Sequence, residues 1–373
     1  MYQSLLRPSV NWLLAFVPIT LGLSYARVSD PAIFLSAALA IIPIAGVLIR
    51  STEQLARRTG DAVGGLLNAT FGNAPELIIA LVALKAGYYD MVRASIIGAI
   101  LANLLLSMGI AFFLGGLRFH TQQYNAGPTR LYSSMMLIAT ASLAVPSAFS
   151  RLFSPEAVIP QEAQLNIATA ILLLAVYGLY LVFLLKTHPD YFKSAGVVTE
   201  TVLHEPQWSL PRTTGSLVVA SLAVAWMSEI LVGAAEGTGK ALGMSDVFIG
   251  VVFLAVVGGA AGGFAPAAVM ARKNKLDLTI GIAMGSSIQI ALFVAPALVA
   301  ASYFIAPQPL ELAFTRAELG ALFLAVLIGA VVSGDGQSNW YKGLQLVIIY
   351  LMIAVLFYFL PTTAHAAIAQ RVI

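Results

Sequence analysis

The chain consists of long apolar runs separated by short polar loops, and this pattern limits the folds open to it. A hydrocarbon core about 30 Å thick needs about 20 apolar residues in a helix, and every backbone amide must find its partner within the span. Only 10% of the residues are charged, whereas soluble domains carry about 25%. The runs do not alternate as the strands of a membrane barrel do. The sequence therefore predicts an all-α polytopic membrane protein.

Eleven transmembrane helices are predicted along the chain. Several begin at helix-start signals such as Asp30-Pro31 and Ser245-Asp246, where a short polar side chain or a proline suits the first turn. The approximate predicted bounds are 10–26, 31–50, 61–85, 90–117, 130–150, 164–186, 213–238, 245–271, 277–305, 315–333 and 342–360. The stretch from Met1 to Pro8 is too short for a cleaved signal, so the first helix is expected to remain as an anchor.

The distribution of lysine and arginine between the loops predicts the orientation. With eleven helices, most of the 20 basic residues fall in loops on the N-terminal side. Cytoplasmic loops carry an excess of Lys and Arg, so we expect a cytoplasmic N-terminus and an external C-terminus. The expected location is the inner membrane of a prokaryotic cell. A monomer and a homo-oligomer are both compatible with the sequence.

The longest predicted loop separates two groups of five helices, and one further helix precedes the first group, so the chain has four parts. The parts are an N-terminal helix (1–30), a first five-helix repeat (31–186), a cytoplasmic linker (187–212) and a second five-helix repeat (213–373). The linker contains no convincing metal-ligand spacing, so we expect a solvated connection. A cytoplasmic cation sensor is the functional alternative for this loop.

The two five-helix groups are related by an internal repeat at a shift of 186 positions, from 76 to 262. The aligned positions include Gly72/Gly258, Asn73/Gly259, Glu76/Gly262 and Asn103/Gln289. Because five is an odd number, equivalent helices would cross the membrane in opposite directions. Inverted repeats of this kind are typical of secondary transporters, whose sites lie near the bilayer midplane between the repeats.

Glu76 lies in the middle of an apolar stretch and follows Gly72-Asn73-Ala74-Pro75. A charge at the bilayer centre costs roughly 3 kcal/mol on insertion scales, and such residues are usually functional. Asn73 and Glu76 share one helix face, and Pro75 frees carbonyls in the preceding turn. These oxygens form the hard-ligand set that Ca²⁺ favours, with Glu76 as the expected metal ligand and proton carrier. The structural alternative is an acid kept neutral by burial.

The following helix of each repeat adds polar side chains to the candidate site. They are Asn103 in the first repeat and Ser286, Ser287 and Gln289 in the second. These groups either ligate an ion or form hydrogen bonds between closely packed helices, and the sequence leaves both roles open. Among the other acids, Glu229 on the seventh helix is nearest to a functional role. The four histidines fall outside the predicted spans.

Two segments resemble a known family of transporters. Gly72-Asn73-Ala74-Pro75-Glu76-Leu77-Ile78 is similar to the first signature repeat of the calcium/proton exchangers (CAX) of the cation/Ca²⁺ antiporter superfamily, and Gly281 to Pro296 is similar to a helix of their second repeat. The resemblance covers nearly the whole chain. It implies Ca²⁺ export or sequestration driven by protons, without a cofactor, with one glutamate of each repeat alternating between H⁺ and Ca²⁺. Glu76 matches the first of these glutamates, and the amides at 73, 103 and 289 match its polar companions.

The second repeat departs from this family pattern. The family usually has glutamate where this chain has Gly262, and often asparagine at the place of Gly259. Loss of one carboxylate weakens the binding of a divalent ion more than that of a monovalent ion, because the Coulomb energy scales with ion charge. The added glycines are expected to open space for water. Three interpretations remain open. In the first, Glu229 compensates for the missing acid; in the second, another or a monovalent cation is exchanged for protons. In the third, transport is impaired, as in a degenerate paralogue or an altered sequence.

Other classes of protein fit the sequence less well. The absence of cysteine excludes disulfides, zinc–thiolate sites and iron–sulfur centres. The sequence contains neither a nucleophile–base set nor a phosphate-binding loop, so it does not indicate an enzyme. The small excess of 20 basic over 17 acidic residues does not indicate a nucleic-acid partner. A channel or a non-transporting membrane scaffold is the alternative class, and the expected partners are Ca²⁺, H⁺ and the lipid bilayer.

Overall fold

The computed structural model describes residues 10–59, 64, 66–67, 70–152, 159–188 and 206–360, and it is almost entirely helical. In chain order the helices are α1 (Val10–Tyr25), α2 (Asp30–Ala56), α3 (Ala74–Lys85), α4 (Tyr89–Phe119), α5 (Ala126–Leu152), α6 (Gln161–Thr187), α7 (Leu210–Leu242), α8 (Asp246–Arg272), α9 (Leu276–Ile305), α10 (Arg316–Ser333) and α11 (Trp340–Tyr358). Within the described residues, nine of them are long and apolar enough to cross a membrane.

The predicted all-helical membrane fold is confirmed, and each described helix overlaps one predicted span. The described parts of α1 and α3 are shorter than a bilayer requires, so the total of eleven spans stays a prediction. The division into inverted repeats also stays a prediction. Most of the predicted linker lies outside the described residues.

α2 and α8 begin at the predicted signals, at Asp30 and Asp246, and α10 begins at a cap that the sequence analysis did not name. The Ser245 hydroxyl accepts a hydrogen bond from the backbone amide of Phe248 at 3.1 Å and caps α8. Thr315 and Glu318 form a reciprocal capping box at the start of α10, with hydrogen bonds of 3.2 and 2.7 Å. Such caps satisfy amides that the first helical turn leaves without partners.

Glycines allow the central helices to approach closely. α4 crosses α8 where a Cβ at Gly98 would collide with the backbone of Val251, and a Cβ at Gly250 would lie 2.5 Å from the Met91 carbonyl oxygen. α11 packs on α4 in the same way, because a Cβ at Gly109 would lie 3.0 Å from the Gly343 carbonyl oxygen. Small residues at helix crossings are typical of membrane proteins, in which van der Waals packing drives association.

Two short strands join the ends of these helices on one side of the molecule. β1 (Thr121–Gln123) pairs antiparallel with β2 (Gln337–Asn339). The buried amide of Gln122 donates to the Ala271 carbonyl at the end of α8 and to the Asn274 side chain, each at 2.8 Å. Partial burial acts to raise the pKa of Asp335 before β2, but hydrogen bonds from Lys342 and the Gln337 amide hold it below its ordinary value.

On the opposite side, the extended segment 308–314, here called the strap, lies between α9 and α10. Its alternate side chains Leu310, Leu312 and Phe314 are buried. The Asn166 amide of α6 binds its backbone twice, donating to the Leu310 carbonyl at 2.8 Å and accepting from the Leu312 amide at 3.0 Å. Ser147 of α5 binds the same backbone at Leu312 and Phe314. The strap therefore fastens the second half of the chain to α5 and α6 of the first.

Replacing Asn166 by Ala should destabilise the fold by about 2–4 kcal/mol, because two buried backbone groups would lose their partners. We expect a lower thermal unfolding temperature for the detergent-solubilised protein. Ile167→Ala is the matched control, since this neighbouring side chain is 39% exposed. Equal unfolding temperatures for the two variants would contradict the assigned role of the strap.

Candidate functional site

Glu76 lies in the first turn of α3, whose N-cap residue is Asn73. Its Oε2 atom is buried and has no hydrogen-bond partner among the described residues. A buried ionised oxygen without a partner is strongly unfavourable. The carboxylate is therefore arranged to take up a proton or a cation.

Gly258 of α8 provides the surface against which this side chain lies. A Cβ at position 258 would be 2.8 Å from Cγ and 3.3 Å from Cδ of Glu76. The distance of 2.8 Å is too short for a non-bonded contact between two carbon atoms, and the distance of 3.3 Å is tight. Any larger residue at 258 would therefore displace the carboxylate. Gly258, which the repeat aligns with Gly72 and which we count among the predicted site residues, thus has a steric reason to be glycine in the contact between α3 and α8.

Asn73 and Gln289 join the two halves of the chain at this level. The Nδ2 atom of Asn73 donates a hydrogen bond of 2.8 Å to Oε1 of Gln289. Asn73 is 3% exposed, and Gln289 lines the neighbouring cavity. The structure therefore brings together two amides that are 216 positions apart in the sequence.

Asn103 approaches the same glycine-rich segment of α8 from α4. Its Oδ1 atom would lie 2.9 Å from a Cβ at Gly263. A Cβ at Gly262 would lie 2.8 Å from Cδ1 of Ile49 on α2 and 3.5 Å from the Gly72 carbonyl oxygen. Side chains of the first half therefore lie against Gly262 and Gly263, while Gly262 also borders a cavity. The expectation that the added glycines open space for water stays a prediction. Gly259 faces the Phe264 ring of its own helix, 3.1 Å from its Cβ position.

The site residues coincide with π-helical segments. Asn103 lies in Ala102–Ser107, Gly262 in Ala260–Phe264, and Gln289 directly precedes Ile290–Val294. A π-helical turn interrupts the i to i−4 hydrogen-bond ladder, and such turns are frequent at functional sites. They supply backbone carbonyls that can face a bound ion.

A cavity of about 400 Å³ reaches this layer from one end of α2. Its inner wall includes Gly72, Gly262, Ser286 and Gln289, and its outer part includes Arg50 and Glu53. A divalent ion with bound water fits easily into this volume. The cavity therefore connects Gly72, Ser286 and Gln289 with one face of the protein, whereas Glu76, Asn73 and Asn103 are not among its lining residues.

Other predicted residues lie apart from this layer or serve the helix itself. The Ser287 hydroxyl donates to the Ala283 carbonyl at 2.9 Å within α9. Glu229 on α7 is exposed and is not among the residues that line the cavity. Asp277, which was not a predicted site residue, accepts a hydrogen bond of 2.8 Å from the backbone amide of Asn125. No cluster of three or more His, Cys, Asp or Glu in the described residues could hold a metal, so a bound ion would depend on Glu76 with amide and carbonyl oxygens.

The sequence reasoning missed Ile49, which borders both Gly262 and the cavity. An isoleucine inside an apolar helix carries no distinguishing signal. It also missed Glu53, one helical turn further along α2, whose spacing of four residues from Ile49 places both on one face.

Comparison with known proteins gives a consistent set of relatives. A family model described as sodium/calcium exchanger protein matches residues 29–186 and 213–359. The chain is 41% identical over 362 residues to the Ca(2+)/H(+) antiporter of Aphanothece halophytica, covering 94% of this chain and 96% of the relative. It is 39% identical over 347 residues to the Ca(2+)/H(+) antiporter ChaA of Bacillus subtilis, covering 93% and 97%.

Solved structures are similar over nearly the same length. The structure of native YfkE matches with a TM-score of 0.80 at 37% identity, covering 94% of this chain and 100% of that chain. The structure of the H+/Ca2+ exchanger CAX matches with a TM-score of 0.67 at 12% identity, covering 94% of this chain and 90% of that one. The second likeness concerns the fold alone.

Replacing Gly258 by Ala should destabilise the protein by about 1–3 kcal/mol, as overpacking in a close contact generally does. The physical reason is the short distance between the new Cβ and Glu76. Gly285→Ala is the matched control, because Gly285 is also a helix glycine near the site and a Cβ there meets nothing within 4 Å. Thermal unfolding in detergent measures both variants, and equal stability would contradict the contact.

Proposed function

This chain belongs to the sodium/calcium exchanger protein family, and we propose that it is an antiporter that exchanges Ca²⁺ for H⁺ across a membrane. The buried, unpartnered Oε2 atom of Glu76, beside the hydrogen bond between Asn73 and Gln289, carries this proposal. Relatives named Ca(2+)/H(+) antiporters, aligned over more than nine-tenths of the chain, support it. An ion antiporter is a transporter and not an enzyme, and it needs no cofactor.

Competition for one carboxylate explains the exchange. Protonated Glu76 is neutral and is tolerated in a site that excludes water, whereas the ionised form needs a cation beside it. Amide oxygens of Asn73, Asn103 and Gln289, together with the Gly72 carbonyl, would complete the hard-oxygen set for Ca²⁺. Binding of the proton and binding of the metal ion therefore exclude each other.

The direction of transport follows from the predicted orientation. With the N-terminus in the cytoplasm, the end of α2 that carries Arg50 and Glu53 faces the cytoplasm, and the cavity would open to that side. Cytoplasmic Ca²⁺ would reach Gln289 and the Gly72 carbonyl through it, beside the Asn73–Gln289 hydrogen bond. Entering protons would drive its export. We place the protein in a prokaryotic inner membrane with an external C-terminus.

A second candidate function is proton-coupled exchange of another or a monovalent cation. The observation that favours it is Gly262, which leaves the site with one carboxylate where the repeat would supply two. The exposed position of Glu229 does not support its direct substitution for the missing acid. We therefore expect weak Ca²⁺/H⁺ exchange carried by Glu76.

Glu76→Gln should abolish Ca²⁺-driven proton movement, because glutamine cannot alternate between a proton and a cation. The measurement is the pH change inside proteoliposomes after Ca²⁺ addition, relative to protein-free liposomes. Glu229→Gln is the matched control and should retain the wild-type rate, since its side chain is exposed.

Three other results would revise this proposal. Full exchange by the Glu76→Gln protein would exclude this carboxylate as the exchanging group. Loss in Glu229→Gln would show that this second acid takes part. No exchange by the wild-type protein would contradict Ca²⁺/H⁺ antiport, and the same assay with monovalent cations then tests the second candidate.

Gly262→Glu should strengthen Ca²⁺ transport, because it restores a second negative charge next to the Gly72 carbonyl. We expect the Ca²⁺ concentration for half-maximal exchange to fall about ten-fold, equivalent to about 1.4 kcal/mol. The effect on a monovalent competitor should be smaller, since the Coulomb energy scales with ion charge. Unchanged flux from a correctly inserted variant would refute this expectation.

A further inference from the structure

We infer that Ile49 is a specificity-determining residue of the ion site, because its side chain occupies the place that a ligand from position 262 would take. The inference deepens the proposed function and rests on it. Ile49 and Gly262 act as a pair, because the side chain of Ile49 fills the space left by the missing side chain at 262.

The geometry around Gly262 supports this pairing. A Cβ there would lie 2.8 Å from Cδ1 of Ile49 and 3.5 Å from the Gly72 carbonyl oxygen. Any longer side chain at 262 would therefore start in the gap between an apolar group and a candidate ligand oxygen. All three residues line the same cavity, so this gap borders the path to the site.

Ile49 differs from the groups that face the neighbouring glycines. Gly258 meets the Glu76 side chain, and Gly263 meets the amide oxygen of Asn103. Gly262 is therefore the one glycine of these three that meets an apolar side chain of the first half. Moving Ile49 would displace no polar group from the site, whereas a side chain at 258 or 263 would displace a candidate ligand.

An apolar group at this place affects which cation the site prefers. Ca²⁺ takes six to eight oxygen ligands, and the branched side chain of Ile49 supplies none on its side. A cation of lower charge or with fewer ligands loses less from this arrangement, because its attraction to oxygen ligands is weaker. Ile49 thus lowers the preference for Ca²⁺ in a site that already has only one carboxylate.

The test is a double-mutant cycle that compares the wild type, Ile49→Ala, Gly262→Glu and the double variant. Ca²⁺ affinity is measured from the Ca²⁺-dependent rise in unfolding temperature of each detergent-solubilised protein, since a ligand that binds only the folded state stabilises it. Each protein serves as its own reference, so a general loss of stability in Ile49→Ala does not enter the result. We expect the double variant to bind Ca²⁺ about ten-fold more tightly than the two single changes predict together.

Gly285 offers the matched control for this cycle. It lines the same cavity, but a Cβ there meets nothing within 4 Å. Gly285→Glu therefore adds the same charge at a position whose Cβ does not meet Ile49. Its effect should add to that of Ile49→Ala without coupling. Equal coupling in both cycles, or none in the cycle with Gly262→Glu, would overturn the inference.

Binding and transport separate this inference from the proposed function. Coupling in Ca²⁺ binding without any Ca²⁺-driven proton movement would support the role of Ile49 and contradict the proposed antiport. Exchange by the wild type without coupling would leave the antiport intact and refute the role of Ile49. Absence of Ca²⁺ binding by the double variant would also refute it.

Discussion

The Glu76 side chain lies against a glycine backbone, and the rest of the site depends on this contact. Without a side chain at Gly258, α3 and α8 approach closely enough to exclude water from Oε2. In a bilayer such close approach is also the main source of helix association. The packing of these two helices and the desolvation of the Glu76 carboxylate therefore have one origin.

The glycine-rich part of α8 is a poor helix by itself. A glycine costs about 1 kcal/mol relative to alanine inside a soluble helix, and the segment includes a π-helical turn at Ala260–Phe264. It is held in place by Glu76, Asn103 and Ile49, which pack against it from three helices of the first half. Local helix propensity is thus sacrificed for close contact between the two halves, as is common at functional sites.

The sequence was most informative where polarity conflicted with an apolar environment. Glu76, Asn73 and Gln289 stood out in long apolar runs, and the internal repeat indicated a site near the bilayer midplane between the two halves. Ile49 could not be found in this way, because an apolar residue in an apolar helix conflicts with nothing. The role of Asn166 could not be predicted either, because its partners on the strap are 144 and 146 positions away in the sequence. The sequence of the strap itself indicates only an ordinary loop.

In the proposed mechanism, a bound ion would compete with the Nδ2 donor of Asn73 for the Oε1 atom of Gln289. An amide oxygen that accepts from Asn73 must reorient or share its lone pairs before it can coordinate a cation. A buried hydrogen bond of this kind contributes about 1 kcal/mol net, which a hard cation readily offsets. Binding of an ion would then weaken the Asn73–Gln289 contact between the two halves of the chain, and release of the ion would restore it.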